Sequence, residues 1–227
     1  MKTFLSRLLG RLSFLTAEVL VLLMVFLAAF AGFFFLVRVV FVEHSVALDT
    51  WAFHRMEAVR QAAPGLDGWV YGVTFFASAP FLVGAALVLP AGLAWLKRRR
   101  EALEVFLAVA GAALLNQLLK THFHRLRPTS ALVKQLGLSF PSGHSMIGMA
   151  LYGCLAWLLW RHGRHPAWAA LLLLWALTIG LTRIYLHVHY ATDVLAGFAA
   201  GLGWLVLLRT ALRLWWREGQ ALDRKGA

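Results

Sequence analysis

The chain has 227 residues, 61% of them hydrophobic and only 14% charged, with a mean hydropathy of +0.72. A soluble domain of this length carries about a quarter charged residues, so composition excludes an ordinary soluble globule and points to an integral membrane protein. The formal net charge of +12 is not a nucleic-acid signature, because the excess basic residues sit in short segments beside apolar runs, as the positive-inside rule requires.

The first stretch, Met1–Ser13, carries Lys2, Arg7 and Arg11. The apolar run behind it is too long for the core of a cleavable signal peptide. Val19 to Val37 is uncharged and long enough to span a bilayer. Glu18 marks its near end and Arg38 its far end, where a long basic side chain snorkels to the headgroups. Glu43 to Gly68 is polar and mixed. Asp49-Thr50 there reads as the cap of a short interfacial helix that Pro64-Gly65 stops. A plain connector is the competing reading of this segment.

Trp69 to Leu96 is the second span, kinked at Pro80 and Pro90. Lys97-Arg98-Arg99-Arg100 anchors its end. Glu101 to Lys120 is the third span. Thr121 to Phe140 has no period, and an irregular segment of this length is often functional. Pro141 to Trp160, Ala167 to Thr182 and Thr192 to Leu208 complete six spans. A basic turn, Arg161 to Pro166, joins the fourth and fifth, and Trp215-Trp216 lies in the basic tail. Cys154 lies inside an apolar run, and as the one cysteine it forms no internal disulfide.

The expected fold is therefore all-α, a single membrane domain over 1–227 built as a bundle of six transmembrane helices. Six spans put both termini on one side. That side collects Lys2, Arg7 and Arg11, the run 97–100, Arg161, Arg164, and Arg209, Arg213, Arg217, Arg224 and Lys225. The other side has fewer: Arg55, Arg60, Lys120, Arg125, Arg127, Lys134 and Arg183, besides Arg38 at the end of the first span. The termini are expected in the cytoplasm, at the inner membrane of a bacterial-type cell.

This topology gathers ionisable residues at the opposite face. Phe140-Pro141-Ser142-Gly143-His144 opens the fourth span with a helix start, whose unpaired N–H groups and dipole favour an anion. Lys120 ends the third span, Arg127 lies in the loop, Arg183 ends the fifth, and His189 and Asp193 open the sixth. Ionisable residues at the ends of several spans indicate a site. Arg125 and Lys134 are read instead as residues that snorkel separately. Three cations can hold a phosphoryl group and offset its transition-state charge. One histidine can attack phosphorus while another protonates the leaving oxygen. His189 and Asp193 are four apart and so share a helical face, where the carboxylate can orient the imidazole. His187 lacks such a partner, since four residues on is Ala191. His122 and His124 read as loop or interface residues. A metal held by His187, His189 and Asp193 is the rival use of these groups, but three nearby cations would repel it, and no metal is expected.

Three ordered patterns run through 120–193: Lys120, six residues, Arg127-Pro128; Pro141-Ser142-Gly143-His144; and Arg183, five residues, His189, three residues, Asp193. On a six-span chain this resembles the type 2 phosphatidic acid phosphatase (PAP2) superfamily of membrane lipid phosphatases. Thr182 stands where the family usually has Ser. The resemblance implies His189 as nucleophile through a phosphohistidine, Asp193 as its orienting partner, and His144 as acid for the leaving group. It implies Lys120, Arg127, Ser142, the Gly143 backbone and Arg183 as the phosphate holders, with no metal and no cofactor. It implies a lipid phosphate as substrate, among them phosphatidic acid, phosphatidylglycerol phosphate and undecaprenyl diphosphate, and a site on the extracytoplasmic face. The alternatives are a phosphotransferase of the same superfamily and a silent lipid-binding or transport protein.

Overall fold

The computed structural model describes residues 2–223, and the side chains of residues 19–216. The basic residues Lys2, Arg7, Arg11, Arg217, Arg224 and Lys225 of the charge count lie outside the described side chains. Among the described residues the fold is all-helical, with eight helices and no strand. They are α1 (Lys2–Phe41), α2 (Ala47–Ala62), α3 (Leu66–Phe75), α4 (Ala79–Trp95), α5 (Arg99–Phe123), α6 (Gly143–Arg161), α7 (Pro166–Tyr185) and α8 (Ala191–Asp223).

Val19–Phe41 of α1, α5, α7 and Ala191–Trp216 of α8 are long and apolar enough to cross a membrane, and α3 with α4 makes a fifth such element if taken as one bent span. The expected second span is thus two helices meeting at 41°. Pro80 starts the second of them, in its first turn, instead of kinking a continuous helix. Pro90 does lie inside α4.

The core forms around α6, which packs against α5, α7 and α8. Most of its side chains are buried, including Met146, Met149, Ala150, Leu151 and Cys154. A helix wrapped by protein needs no aliphatic coat toward lipid, and α6 accordingly carries Gly, Ser, Tyr and Cys among its apolar residues. Its start is pressed onto α8. A Cβ at Gly197 would stand 2.7 Å from the Ser142 carbonyl oxygen, and one at Gly201 would collide with the Met146 carbonyl. Two glycines one turn apart let the backbones touch, and Ser142 N–H reaches the Asp193 carbonyl at 3.0 Å. That contact registers the two chain segments that carry the second and third patterns.

The segment between α1 and α3 also differs from expectation. It forms α2, which ends before Pro64-Gly65 as expected but begins at Ala47. Asp49 is therefore within the helix, not at its cap. Its carboxylate is buried and caps another helix, accepting the Thr192 N–H of α8 at 2.8 Å. The loop after α5 is pinned at two points, Leu132 N–H to the Leu186 carbonyl at 3.0 Å and Ser139 N–H to the Arg125 carbonyl at 2.7 Å.

Candidate active site

One end of the bundle brings together the end of α5, the start of α6, the end of α7, the start of α8 and the loop after α5. His189 is almost fully buried at 1% exposure, in the short segment between α7 and α8 and not on the α8 helix itself. Its Nδ1 lies 3.5 Å from Oδ2 of Asp193. Ser139, fully buried, sits between them, with its hydroxyl donating to Oδ2 of Asp193 and standing 3.3 Å from Nδ1 of His189. The other ring nitrogen, Nε2, is 3.1 Å from Nη1 of Arg127. The imidazole thus has Ser139 and Asp193 at Nδ1 and Arg127 at Nε2. Burial outweighs the attraction of Asp193 and pushes the His189 imidazole down to about 4.

The cations converge as expected. Arg127 also donates to the Val188 carbonyl at 2.9 Å and the Gly137 carbonyl at 3.1 Å, which fixes its fork. Burial draws its guanidinium below the ordinary arginine value. Lys120 bonds the Leu138 carbonyl and lies within electrostatic reach of Arg127 and Asp193. Arg183 is 1% exposed and close enough to Arg127, His144 and His189 to act on their charge. Its Nη1 donates to the Thr74 hydroxyl at 2.6 Å, while Nε and Nη2 are buried without a hydrogen-bond partner. His144, half-buried in the first turn of α6, feels Arg183, His189, Arg127 and Lys120 together.

At the α6 start, Ser142 N–H is not a free donor, because the Asp193 carbonyl takes it. The N–H groups of Gly143 and His144 belong to the first turn, which has no internal acceptor for them. The Ser142 hydroxyl accepts from Ser145 at 3.1 Å, leaving its own proton to give. Asn116 of α5 braces this turn through the Pro141 carbonyl at 3.2 Å.

The structure departs from expectation at Arg125. Instead of snorkelling alone, it bonds Asp193 at 2.5 Å, Thr192 at 2.7 Å and Asp49 at 2.8 Å. Sequence reasoning missed Asp49, Ser139 and Thr192 as well. A carboxylate in a chain with only 10 acids was a usable signal for Asp49. A serine in an aperiodic loop carried none. His187 stays out of the cluster as expected, with its ring 4.4 Å from Phe53 and Nδ1 3.2 Å from the Ser130 hydroxyl. Lys134, His122 and His124 are exposed. Among the described residues no three His, Cys, Asp or Glu side chains are grouped to hold a metal.

The model of the PAP2 superfamily matches residues 101–217, which include all three patterns and more than half of the chain. The chain belongs to the PAP2 superfamily. Phosphatidylglycerophosphatase B of Bacillus subtilis is 34% identical over 157 residues, 64% of this chain and 77% of that protein. The crystal structure of a transmembrane PAP2-type phosphatidylglycerolphosphate phosphatase from Bacillus subtilis superposes with a TM-score of 0.74 at 29% identity, covering 82% of this chain and 94% of the other. A lipid A 1-phosphatase of Rhizobium etli is 39% identical over 70 residues, 31% of this chain and 27% of that one. The PAP2 relatives are thus membrane lipid phosphatases, and this PAP2 chain has the apolar helices of a multi-pass membrane protein.

Proposed function

We propose that the protein is a metal-independent lipid phosphate phosphatase acting through a phosphohistidine. One observation carries the reading: a fully buried guanidinium, Arg183, with two nitrogens unpaired beside a buried histidine. A buried cation with unfilled donors needs an anion with several acceptor oxygens. The surrounding cations, Lys120 and Arg127, fit a phosphoryl group and not a single carboxylate.

In this reading Arg183, Arg127, Lys120, the Ser142 hydroxyl and the Gly143 N–H hold the non-bridging oxygens. Nε2 of His189 attacks phosphorus in line with the leaving oxygen. The P–O bond breaks, a P–N bond forms, and His144 gives its proton to the departing oxygen. Asp193 stabilises the positive imidazole through Nδ1–H. His144 then takes a proton from water as the water oxygen attacks phosphorus. The P–N bond breaks, inorganic phosphate leaves, and His189 returns to its starting state. Removing cations from water makes their hold on the transition state stronger than it would be in solvent.

We read α6 as the sixth span. Its 19 residues cover about 28 Å at 1.5 Å per residue, close to the hydrocarbon thickness. The basic bias of the opposite end supports cytoplasmic termini and a site on the extracytoplasmic face, reached from the outer leaflet, with α2 lying at that interface. Phosphatidylglycerol phosphate is the first substrate to try, since a phosphatidylglycerophosphatase matches 64% of this chain. Phosphatidic acid and undecaprenyl diphosphate present the same terminal phosphate.

The test is phosphate release by detergent-purified protein from these three lipids with EDTA present. Release that survives EDTA and is blocked by vanadate, which mimics five-coordinate phosphorus, is the expected result. Loss of release in EDTA would sink the metal-independent mechanism. Label passing to an added alcohol acceptor in place of water would make the protein a phosphotransferase.

A further inference from the structure

The proposed reaction needs the Asp193 carboxylate held against Nδ1 of His189, and both of its oxygens are engaged. Oδ2 takes the Ser139 hydroxyl and the Tyr190 N–H, the latter at 3.0 Å, on the side that faces His189. Oδ1 takes Nη1 of Arg125 at 2.5 Å. The Arg125 guanidinium works as a fork. Nη1 also donates to the Thr192 hydroxyl at 2.7 Å, Nη2 donates to Oδ2 of Asp49 at 2.8 Å, and the plane lies over the Tyr190 ring, 4.0 Å from its centre. Asp49 closes the circuit by accepting the Thr192 N–H at 2.8 Å and the Thr192 hydroxyl at 3.0 Å.

Asp49 and Asp193 are 2% and 0% exposed. Two buried carboxylates bound to one guanidinium would repel each other and cost desolvation without the cation between them. Arg125 is that cation. A planar fork reaches both acids and a hydroxyl at fixed angles, which an ammonium cannot do. The arginine of the Lys-six-Arg-Pro pattern is Arg127, two residues further on, and it faces the opposite nitrogen of the same histidine.

We propose that Arg125, anchored by Asp49 of α2, is a positioning residue for phosphoryl transfer. It sets the Asp193 carboxylate so that Oδ2 faces His189, and it makes no bond to the imidazole itself. The inference rests on the proposed roles of His189 and Asp193. It also makes α2, a helix outside all three patterns, part of the site's support.

The experiment measures kcat, KM and inhibition by inorganic phosphate for the wild type, Arg125→Ala and Asp49→Asn on a water-soluble phosphate monoester in detergent. For Arg125→Ala, kcat falls about 10–100-fold, by analogy with the loss when an outer partner of a metal-bound histidine is removed. KM and the inorganic phosphate inhibition constant stay put, because Lys120, Arg127 and Arg183 are intact. Added methylguanidinium restores part of kcat. Asp49→Asn loses less kcat, again at constant KM. Wild-type kcat in Arg125→Ala overturns the inference. So does a KM and inorganic phosphate constant that rise in step with the loss, which would put Arg125 among the phosphate-holding cations. If Arg125→Ala fails to fold, Asp49→Asn decides: lower kcat at constant KM supports the inference, and wild-type kcat overturns it. Folded wild type that releases no phosphate overturns the reading and the inference together. An active wild type with an unaffected Arg125→Ala overturns the inference alone.

Discussion

The two ends of the helical bundle treat charge differently. At one end, Glu101 and Glu104 of α5 meet Arg98, Arg161 and His162 from the turns after α4 and α6. Arg98 and Arg161 pair with Glu101 at 2.7 and 3.2 Å, and Arg161 pairs with Glu104 at 3.0 Å. At the other end, Lys120, Arg127 and Arg183 surround His144 and His189, and the carboxylate in their midst, Asp193, is already bonded by Arg125. The first end pairs both of its α5 carboxylates with arginines and so ties two turns together. The second leaves donors of a buried arginine empty. Stability alone would not select the second arrangement, since an unpaired buried donor is a net cost. Binding an anion recovers that cost, which is how a site differs from a staple.

Substitutions at the two ends should therefore separate activity from stability. The largest effect is expected for His189→Ala, which removes the proposed nucleophile. Phosphate release should drop to background while the melting temperature stays near wild type, and a surviving rate would displace His189 from the mechanism. Asp193→Asn keeps the shape but loses the charge proposed to steady the imidazolium. By analogy with the aspartate of a serine-protease triad, kcat should fall by up to about 10⁴-fold. A near-wild-type rate would remove Asp193 from the chemistry. Arg183→Ala should cost about 10²–10³-fold in kcat/KM, as for loss of one preorganised oxyanion donor. It should weaken vanadate inhibition too, whereas the protein should be no less stable, because the removed guanidinium was under-bonded.

The pH profile sharpens the same contrast. Because burial holds His189 at about 4, its neutral, nucleophilic form persists well below the ordinary histidine value of 6.5. The acid limb of kcat/KM should therefore lie toward pH 4, and a limb near 6.5 that disappears with the histidine would contradict the burial argument. The unfolded chain binds this proton from 6.5 downward and the folded one does not, so the associated stability is complete above 6.5 and declines as pH falls toward 4. At the other end, Glu104→Ala should lower stability by about 1–3 kcal/mol, through loss of a buried hydrogen-bonded carboxylate from a half-exposed arginine. It should leave kcat unchanged. An activity loss there without destabilisation would mean the two ends are coupled.

Much of the site could be read from the sequence because its members are unusual for a membrane chain. Lys120, Arg127, His144, Arg183, His189 and Asp193 are ionisable groups at the ends of apolar runs, and burial there is costly without a function. Their grouping was expected, and the structure brings them to one end. The parts that were misread share one feature, a partner distant in sequence. Asp49 looks like a helix cap until Thr192, 143 residues on, takes its oxygens. Arg125 looks like one more interfacial cation until Asp49 and Asp193 close around it. The break before Pro80 is equally invisible to hydropathy, which registers an apolar run and not its direction.

The sequence by itself determined the helical class, the apolar lengths, the family and the set of candidate site residues, since these depend on local composition, spacing and rare charges. Only the tertiary structure decided which partners each nitrogen of His189 has. Likewise it decided that Ser142 gives its N–H to Asp193, and that α2 reaches across to brace the aspartate. Those choices depend on side chains meeting across helices, where glycines at 197 and 201 let two backbones touch, and no local pattern encodes such meetings.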